Sequence, residues 1–376
     1  MLGGGPTPVK KAPARCGFHY SRGLAPRAAD MKVFTTIPQH DLRLVPKAAS
    51  AIEAAGYDGL MTMENAHEPF LPLAVAATAT ERIELITGIA IAFARSPMVV
   101  ANAGWDLQAA APGRVVIGLG SQIKAHNERR FSVPWSAPAP RLREYVLALR
   151  AIWDCWQGRG PLDFRGEHYR FTLMTPNFVP EPLSGLPPAV TIAAVGPAML
   201  RVAGEVCDGV RLHPFCTRAY LDQVVQPQLA EGWRRGGRAR EQFEISGGGF
   251  IATGADDAAV AKMVEWVRYR VAFYASTPAY WPVLACHGLE DLGARLNRMT
   301  KDGHWHRIAD EISDEVVALF AAVGRHDQLQ KAIEARFAGV SDAVFASVAT
   351  AVPADLPPDL VQDLRRIPAA FTGFAR

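Results

Sequence analysis

Two histidines, a carboxylate and an arginine follow apolar, strand-like stretches of the sequence, where their side chains could act on a bound molecule. Glu64 and His67 lie in MENAHEPF, and His213 ends a later stretch. Because histidine titrates near neutral pH, His67 is the first candidate for general acid or base, with a structural surface histidine as the alternative. Glu64 could orient His67 or bond the edge of a bound ring, or it could only form a strand-end salt bridge.

Two further side chains are candidates for substrate contacts. His213 could meet the substrate directly, or it could simply pack within a turn backed by proline. Arg95, in FARSP, could bind an anionic group, or it could only flank the helix that follows. For both residues the sequence leaves the functional and the structural interpretation open.

The stretch TIAAVGPAMLRVAGEVCDGV predicts an anion site. A strand-like run ends at Gly196 and Pro197, and a helix-like run follows. Proline fits the first turn of a helix, where its missing N–H has no partner, and glycine lets a ligand approach the backbone closely. A strand, a tight turn and a bare helix N-terminus together suit a phosphate.

Two other motifs resemble known ligand-binding patterns but do not match them. GLGSQI begins like a dinucleotide fingerprint, but Ile123 stands where the third glycine belongs. The His304-Trp305-His306 triplet places its histidines two residues apart, so they do not share a helix face. We therefore expect no metal site.

The elements that must position these residues alternate between strand and helix. Helix-like segments at 42–55, 97–110 and 141–156 lie between apolar runs typical of buried parallel strands. Eight such strands favour a (β/α)₈ TIM barrel with insertions, and a doubly wound open sheet is the alternative. Stretches 157–188 and 274–312 break the alternation and are predicted insertions. The predicted strands are 32–36, 57–63, 83–90, 114–120, 189–195, 209–213, 243–252 and 343–348.

Composition limits the class of protein. The 376 residues carry a net charge of +3, too small to indicate a nucleic-acid partner. Five cysteines without paired spacing indicate a reducing, cytoplasmic compartment, and no apolar run is long enough for a membrane span. We expect residues 1–30 to be a disordered extension and 31–376 to form one domain that acts on a small-molecule substrate.

Five stretches, in this order and spacing, resemble the luciferase-like monooxygenase superfamily, and most closely its branch of oxidoreductases dependent on the deazaflavin coenzyme F420. They are AAGYDGLMTMENAHEPFLPLAVAA, ERIELITGIAIAFARSP, APGRVVIGLGSQ, DFRGEHYRF and AAVGPAMLRVAGEVCDGV. The resemblance covers nearly the whole chain from Met31 onward.

The resemblance implies a TIM barrel with insertions that binds F420, or alternatively FMN, and forms a homodimer. It implies a bulge in the third strand with a cis peptide between Gly88 and Ile89, against which the cofactor ring would rest. The cofactor-binding residues it implies are Thr87, Gly88, Ile89, Gly120, Ser121 and Gln122 around the ring and ribityl chain, and Ala193, Ala194, Gly196, Pro197 and Ala198 around the phosphate.

The sequence departs from the family pattern at two places. The acid that follows the fourth-strand turn in the sugar-phosphate dehydrogenase branch is replaced by Ile123, and the usual Asp-His pair is replaced by Glu64 and His67. Three functions stay open: an F420-dependent oxidoreductase that transfers a hydride to or from a small organic substrate, an FMN-dependent monooxygenase, and a non-catalytic flavin-binding protein.

Overall fold

Eight parallel strands close into a barrel in the computed structural model, which describes residues 29–346 and 356–374. Continuous apolar runs form these strands because both of their faces are buried. The closed ring confirms the predicted (β/α)₈ TIM barrel and excludes the open sheet. The barrel strands are β1 (Lys32–Thr36), β2 (Gly59–Thr62), β3 (Glu84–Thr87), β4 (Val115–Gly120), β5 (Ala189–Ala194), β6 (Gly209–Leu212), β7 (Glu244–Gly247) and β8 (Ala343–Phe345).

The ring is closed by two pairings that an open sheet would lack. Strand β8 pairs with β1 in the register Ala343 to Lys32, and β3 pairs with β4 in the register Leu85 to Val115. All neighbouring barrel strands are parallel. Their carboxyl ends therefore meet at one face of the barrel, where the candidate residues follow β2, β3, β4, β5 and β6.

Helices surround the barrel and begin where the sequence offers helix-starting residues. Helix α3 starts at Pro97 after Ser96, whose hydroxyl accepts from the Met98 N–H, so the predicted range 97–110 is confirmed. The helices are α1 (Val45–Ala54), α2 (Phe70–Ala77), α3 (Pro97–Ala110), α4 (Lys124–Arg129), α5 (Pro138–Trp156), α6 (Pro197–Val206), α7 (Arg218–Tyr220), α8 (Gln226–Gly236), α9 (Asp257–Ala275), α10 (Trp281–Ala285), α11 (Glu290–Lys301), α12 (Asp314–Phe320), α13 (His326–Phe337) and α14 (Pro358–Arg365). Within the described ranges, no helix is both long and apolar enough to cross a membrane.

One predicted strand, 243–252, is wrong as a single element. Gly247 and Gly248 have φ values of 81° and 101°, a left-handed conformation that ends β7. The chain then forms a second strand, Phe250–Gly254, which pairs in parallel with Ala321–Arg325 outside the barrel. The excursion that leaves the barrel after β7 therefore begins before residue 274.

The predicted insertions have secondary structure of their own. Residues 157–188 contain a short hairpin of Phe164–Arg165 with Arg170–Phe171, and residues 274–312 contain α10 and α11.

Most of the expected N-terminal extension lies outside the described residues, as do residues 347 and 348 of the last predicted strand. Ala29–Asp30 pairs antiparallel with Pro368–Ala369.

Charged side chains occupy the amino-terminal end of the barrel interior. The Lys32 ammonium lies 2.6 Å from Glu84 and 3.0 Å from Glu244. Burial opposes the charge on Lys32, but the two carboxylates outweigh it and raise the pKa of Lys32. Phe371 covers this group, with its ring centroid 4.7 Å from the ammonium. The sequence analysis did not anticipate this ion cluster, because its members come from strands far apart in the chain.

We expect Gly118→Ala to destabilise the barrel. A Cβ at this position would lie 2.0 Å from the backbone oxygen of Thr87, which cannot move aside without disturbing β3. Overpacking of this kind predicts a loss of about 2 to 3 kcal/mol in the free energy of unfolding. Urea unfolding measures it, with Gly160→Ala as the control because a Cβ there meets nothing within 4 Å. A loss at Gly118 no larger than at Gly160 would contradict the prediction.

Candidate active site

The third strand is interrupted by a bulge that a carboxylate from the β2 loop holds in place. The Gly88–Ile89 peptide bond is cis, as the family resemblance implied. After it, Ala90–Ile91 resumes pairing with β4. The Glu64 carboxylate accepts from the Ile91 N–H at 2.6 Å, and the Glu64 N–H donates to the Ile89 carbonyl at 3.2 Å. Glu64 is therefore tied to the backbone on the far side of the bulge.

Arg95 joins the same network. Its guanidinium lies 2.6 Å from Glu64 and 3.1 Å from Glu68. The other Glu68 oxygen accepts from the Phe70 and Leu71 N–H groups and so caps the first turn of α2. Arg95 thus lies between two carboxylates that neutralise its charge. The role of Arg95 as a substrate residue stays a prediction.

Glu64 and His67 are near in sequence but have different surroundings. The Glu64 side chain is only 7% exposed, whereas His67 is exposed at the barrel mouth. Across residues 29–346 and 356–374, no hydrogen bond joins the Glu64 carboxylate to His67; it bonds Ile91 and Arg95 instead. The catalytic roles expected for both residues stay predictions.

Three contacts pack the bulge against its neighbours. A Cβ on Gly88 would lie 1.9 Å from the Met61 sulfur, and one on Gly120 would lie 2.6 Å from Ile89 Cδ1. The Thr87 hydroxyl donates to the Gly118 carbonyl and accepts from the Gly118 N–H, both at 2.8 Å. Met61 and Ile89 therefore occupy the space that a side chain at Gly88 or Gly120 would need.

The loop after β4 continues the surface beside the bulge. Gln122 has a φ of 56°, and its side-chain oxygen accepts from the Ile123 N–H. The buried side chain of Asn127 donates to the Ser121 and Ile123 carbonyls at 2.9 and 3.0 Å. Asn127 was not a candidate in the sequence analysis, although its place one turn into α4 is typical of a residue that holds a preceding loop.

The predicted phosphate site lies at the junction of β5 and α6. Gly196 is the residue before the helix, and no side chain caps the helix N-terminus. A Cβ on Gly196 would meet nothing within 4 Å, so the space before the helix is open. Pro197 and Ala198 are exposed, while Ala194 is buried beneath them. This arrangement fits an anion bound to backbone N–H groups, although no residue at the junction supplies a counter-charge.

His213 lies at the end of β6 among aromatic rings. Its Nδ1 accepts from the Phe215 N–H at 3.0 Å. Its ring centroid is 4.4 Å from that of Tyr274 and 4.8 Å from that of Tyr280, both supplied by the excursion after β7. Burial lowers the pKa of His213 from 6.5 to about 4. The imidazole is therefore neutral at physiological pH. Tyr274 and Tyr280 were not identified as its partners in the sequence analysis, because they lie far from His213 along the chain.

The family model described as luciferase-like monooxygenase matches residues 28–342. The chain belongs to this family. Its members include oxidoreductases that use F420 as well as monooxygenases. An uncharacterised protein of Mycobacterium bovis is 48% identical to this luciferase-like protein over 318 residues, which cover 85% of this chain and 93% of the relative.

Two further relatives carry named activities. An F420-dependent glucose-6-phosphate dehydrogenase of Intrasporangium calvum is 31% identical over 266 residues, which cover 67% of this chain and 70% of that protein. The solved structure of the coenzyme F420 dependent tetrahydromethanopterin reductase of Methanopyrus kandleri has a TM-score of 0.70 at 19% identity, covering 90% of this chain and 97% of that chain. The second likeness shows the fold alone.

In the part of the chain that the structure describes, no three His, Cys, Asp or Glu side chains are grouped so that they could hold a metal ion. The residues at the strand ends include small residues, amides, hydroxyls and aromatic rings, together with the ion pairs of Arg95 with Glu64 and Glu68.

We expect His213 to make the stability of the protein depend on pH. An unfolded histidine takes up a proton below about pH 6.5, whereas folded His213 does so only below about pH 4. The free energy of unfolding should therefore be highest above pH 6.5 and fall by roughly 3 kcal/mol as the pH drops to 4. Urea unfolding between pH 7 and 4 measures this, compared with His213→Asn. The exposed His306→Asn serves as control, and an equal slope in His213→Asn would contradict the assignment.

Proposed function

We propose that this protein is an F420-dependent oxidoreductase that transfers a hydride between the deazaflavin and a small organic substrate. The observation that carries the proposal is the bulge at Gly88–Ile89, held by Glu64 and Arg95, at the same face of the barrel as the open N-terminus of α6. The sequence relationship to an F420-dependent dehydrogenase supports the choice of cofactor. When bound, F420 would supply the hydride chemistry, and the protein would supply orientation and proton handling.

The residues present fit such a cofactor at both of its ends. Beside the bulge, the Met61 and Ile89 side chains fill the space next to Gly88 and Gly120, so a flat ring would rest on a closely packed surface. Thr87 and Ile89 would support that surface from below, and Ser121 and Gln122 would border it. The phosphate would bind at α6, where Gly196 leaves the backbone N–H groups accessible.

Within this proposal the two candidate catalytic residues have different tasks. Glu64 would act as a positioning residue, because its carboxylate is already bonded to Ile91 and Arg95. His67 would hold or deliver the proton that accompanies hydride transfer, because it is exposed on the loop between β2 and α2.

A second candidate function is an FMN-dependent monooxygenase, which the family description favours. The same bulge and the same helix N-terminus would serve FMN, so parallel titrations with F420 and FMN decide between them. Preferential binding of FMN, with substrate oxygenation by the reduced flavin, would replace our proposal. Binding without turnover across a broad substrate panel would favour the non-catalytic flavin-binding protein.

The homodimer and the cytoplasmic location also stay predictions.

Gly196→Leu should weaken binding of F420 without unfolding the protein. The new side chain would project into the open space at α6 and hinder the phosphate, so we expect the dissociation constant to rise about tenfold or more. Fluorescence titration measures this, and a deazaflavin without its phosphate should bind the variant and the wild type equally. Gly185→Leu is the matched control, because a Cβ there also meets nothing within 4 Å. An unchanged affinity for F420 would place the phosphate elsewhere.

His67→Ala should retain bound F420 but lose turnover. Removal of a general acid or base predicts a fall in kcat of about 10²-fold or more. Steady-state kinetics, together with the F420 titration, separates this loss from weaker cofactor binding. Turnover equal to wild type would remove His67 from the mechanism.

A further inference from the structure

A positively charged side chain reaches from the segment after β4 to the loop after β2. Arg130, which directly follows α4, donates from its guanidinium to the carbonyl of Asn65. The same loop carries His67, two residues further on, and all three side chains are exposed. Arg130 therefore brings a cation to the loop that holds the proposed proton donor, at the mouth of the barrel.

Short-range contacts anchor the segment from which Arg130 extends. The buried side chain of Asn127 donates to two carbonyls of the loop after β4, and its own carbonyl accepts from the Val133 N–H at 2.8 Å. The Phe131 N–H donates to the His126 carbonyl at 3.0 Å, and the Arg130 guanidinium lies 4.9 Å from the centroid of the Phe131 ring. The guanidinium is thus held from its own segment and from the loop opposite.

The positive charge at the end of α4 is not neutralised within the protein. Among the described residues, neither Arg129 nor Arg130 forms an ion pair, whereas Lys124 lies 3.8 Å from Glu128. The dipole of a helix favours cations at its carboxyl end, which accounts for two arginines in this place. It does not account for the contact that Arg130 makes with a different loop.

The carboxylates of the loop after β2 are bound to other groups. Glu64 bonds Ile91 and Arg95, and Glu68 bonds Arg95 and the first N–H groups of α2. These two carboxylates neutralise Arg95, the residue that the sequence offered for anion binding. Of Arg95 and Arg130, it is therefore Arg130 whose charge is available to a bound anion.

We propose that Arg130, with Arg129 before it, binds an oxyanion of a molecule held in the barrel mouth, either a carboxylate or a phosphate. The bond to Asn65 uses Nη2, which leaves the Nε and Nη1 hydrogens without a partner among the described residues. A guanidinium donates paired N–H bonds to either kind of oxyanion. The inference rests on the proposed function for what occupies the mouth, a substrate or the cofactor, and the experiments separate these two sources.

The first test measures the binding of inorganic phosphate to the full chain without cofactor. Calorimetry at low ionic strength uses the Gly196→Leu variant, in which the predicted phosphate site at α6 is hindered. Adding Arg130→Gln should weaken phosphate binding about threefold or more, and Arg130→Lys should lie between, because lysine keeps the charge but not the paired donors. Arg82→Gln is the control, because Arg82 is exposed before β3 at the opposite end of the barrel. Equal binding with and without Arg130→Gln would overturn the proposal.

The salt dependence of the same titration separates charge from structure. Exposed charges are screened by salt, so the difference that Arg130→Gln makes should shrink as sodium chloride is raised to 1 M. A difference of the same size at high salt would show that the substitution acts by disturbing the loop, and would overturn the assignment of the charge.

The second test identifies which molecule carries the oxyanion. If it belongs to F420, Arg130→Gln should raise the dissociation constant of F420 about threefold or more, while a deazaflavin without its phosphate binds both proteins equally. If it belongs to the substrate, the affinity for F420 should not change, and inorganic phosphate should still bind the wild type saturated with F420. Unchanged F420 affinity together with no phosphate binding to the saturated protein would overturn the proposal.

These outcomes are separable from failure of the proposed function. If neither F420 nor FMN binds, the proposed function fails, yet the phosphate titration needs no cofactor and still reports on Arg130. If F420 binds and supports turnover while Arg130→Gln changes neither phosphate nor F420 binding, the assignment of Arg130 alone fails.

Discussion

Where a strand stops pairing with its neighbour, its backbone N–H and C=O groups need other hydrogen-bond partners. This requirement determines the structure of the candidate site. At the bulge in β3, the Ile91 N–H is paired by the carboxylate of Glu64 rather than by a neighbouring strand. Arg95 balances that carboxylate, and Glu68 carries the same network into the start of α2. Because a buried, unpaired carboxylate is costly, the loop after β2, the bulge and the loop before α3 are held as one unit.

The interior of the barrel holds an ion cluster at its amino-terminal end and apolar side chains further along its axis. Lys32, Glu84 and Glu244 form the ion cluster at the amino-terminal end, and alternate residues along the strands place apolar side chains such as Phe34 and Ile86 on the same inner face. Burial raises the pKa of Glu84, with Lys32 opposing the shift. A buried ion pair is weak evidence for stability, but it favours one alignment of the strands, since a slip of one residue would turn each charge out of the interior and away from its partners.

The sequence allowed the barrel to be predicted because each strand is a short apolar run, and several helices start at a capping residue or a proline. The helix predicted over 97–110 is correct, and Ser96 caps it in the structure. The single strand predicted over 243–252 is wrong because Gly247 and Gly248 lie within continuous apolar residues, and only their left-handed conformation reveals the break.

In the candidate site, the places of Glu64 and Arg95 after their strands were predicted, but their mutual contact was not, because 31 residues separate them. The aromatic partners of His213 lie more than 60 residues away and could not be read locally.

The closure of the barrel also bears on the order in which the molecule can be assembled during synthesis. Strand β1 has one lateral neighbour in β8, more than 300 residues later, and Lys32 is covered by Phe371. Until those residues leave the ribosome, β1 has an unpaired edge and the ammonium of Lys32 faces water. Contacts between such distant parts of a chain form slowly, and exposed strand edges invite association with other chains. The nascent protein therefore exposes one edge of its first strand until β8 has been synthesised.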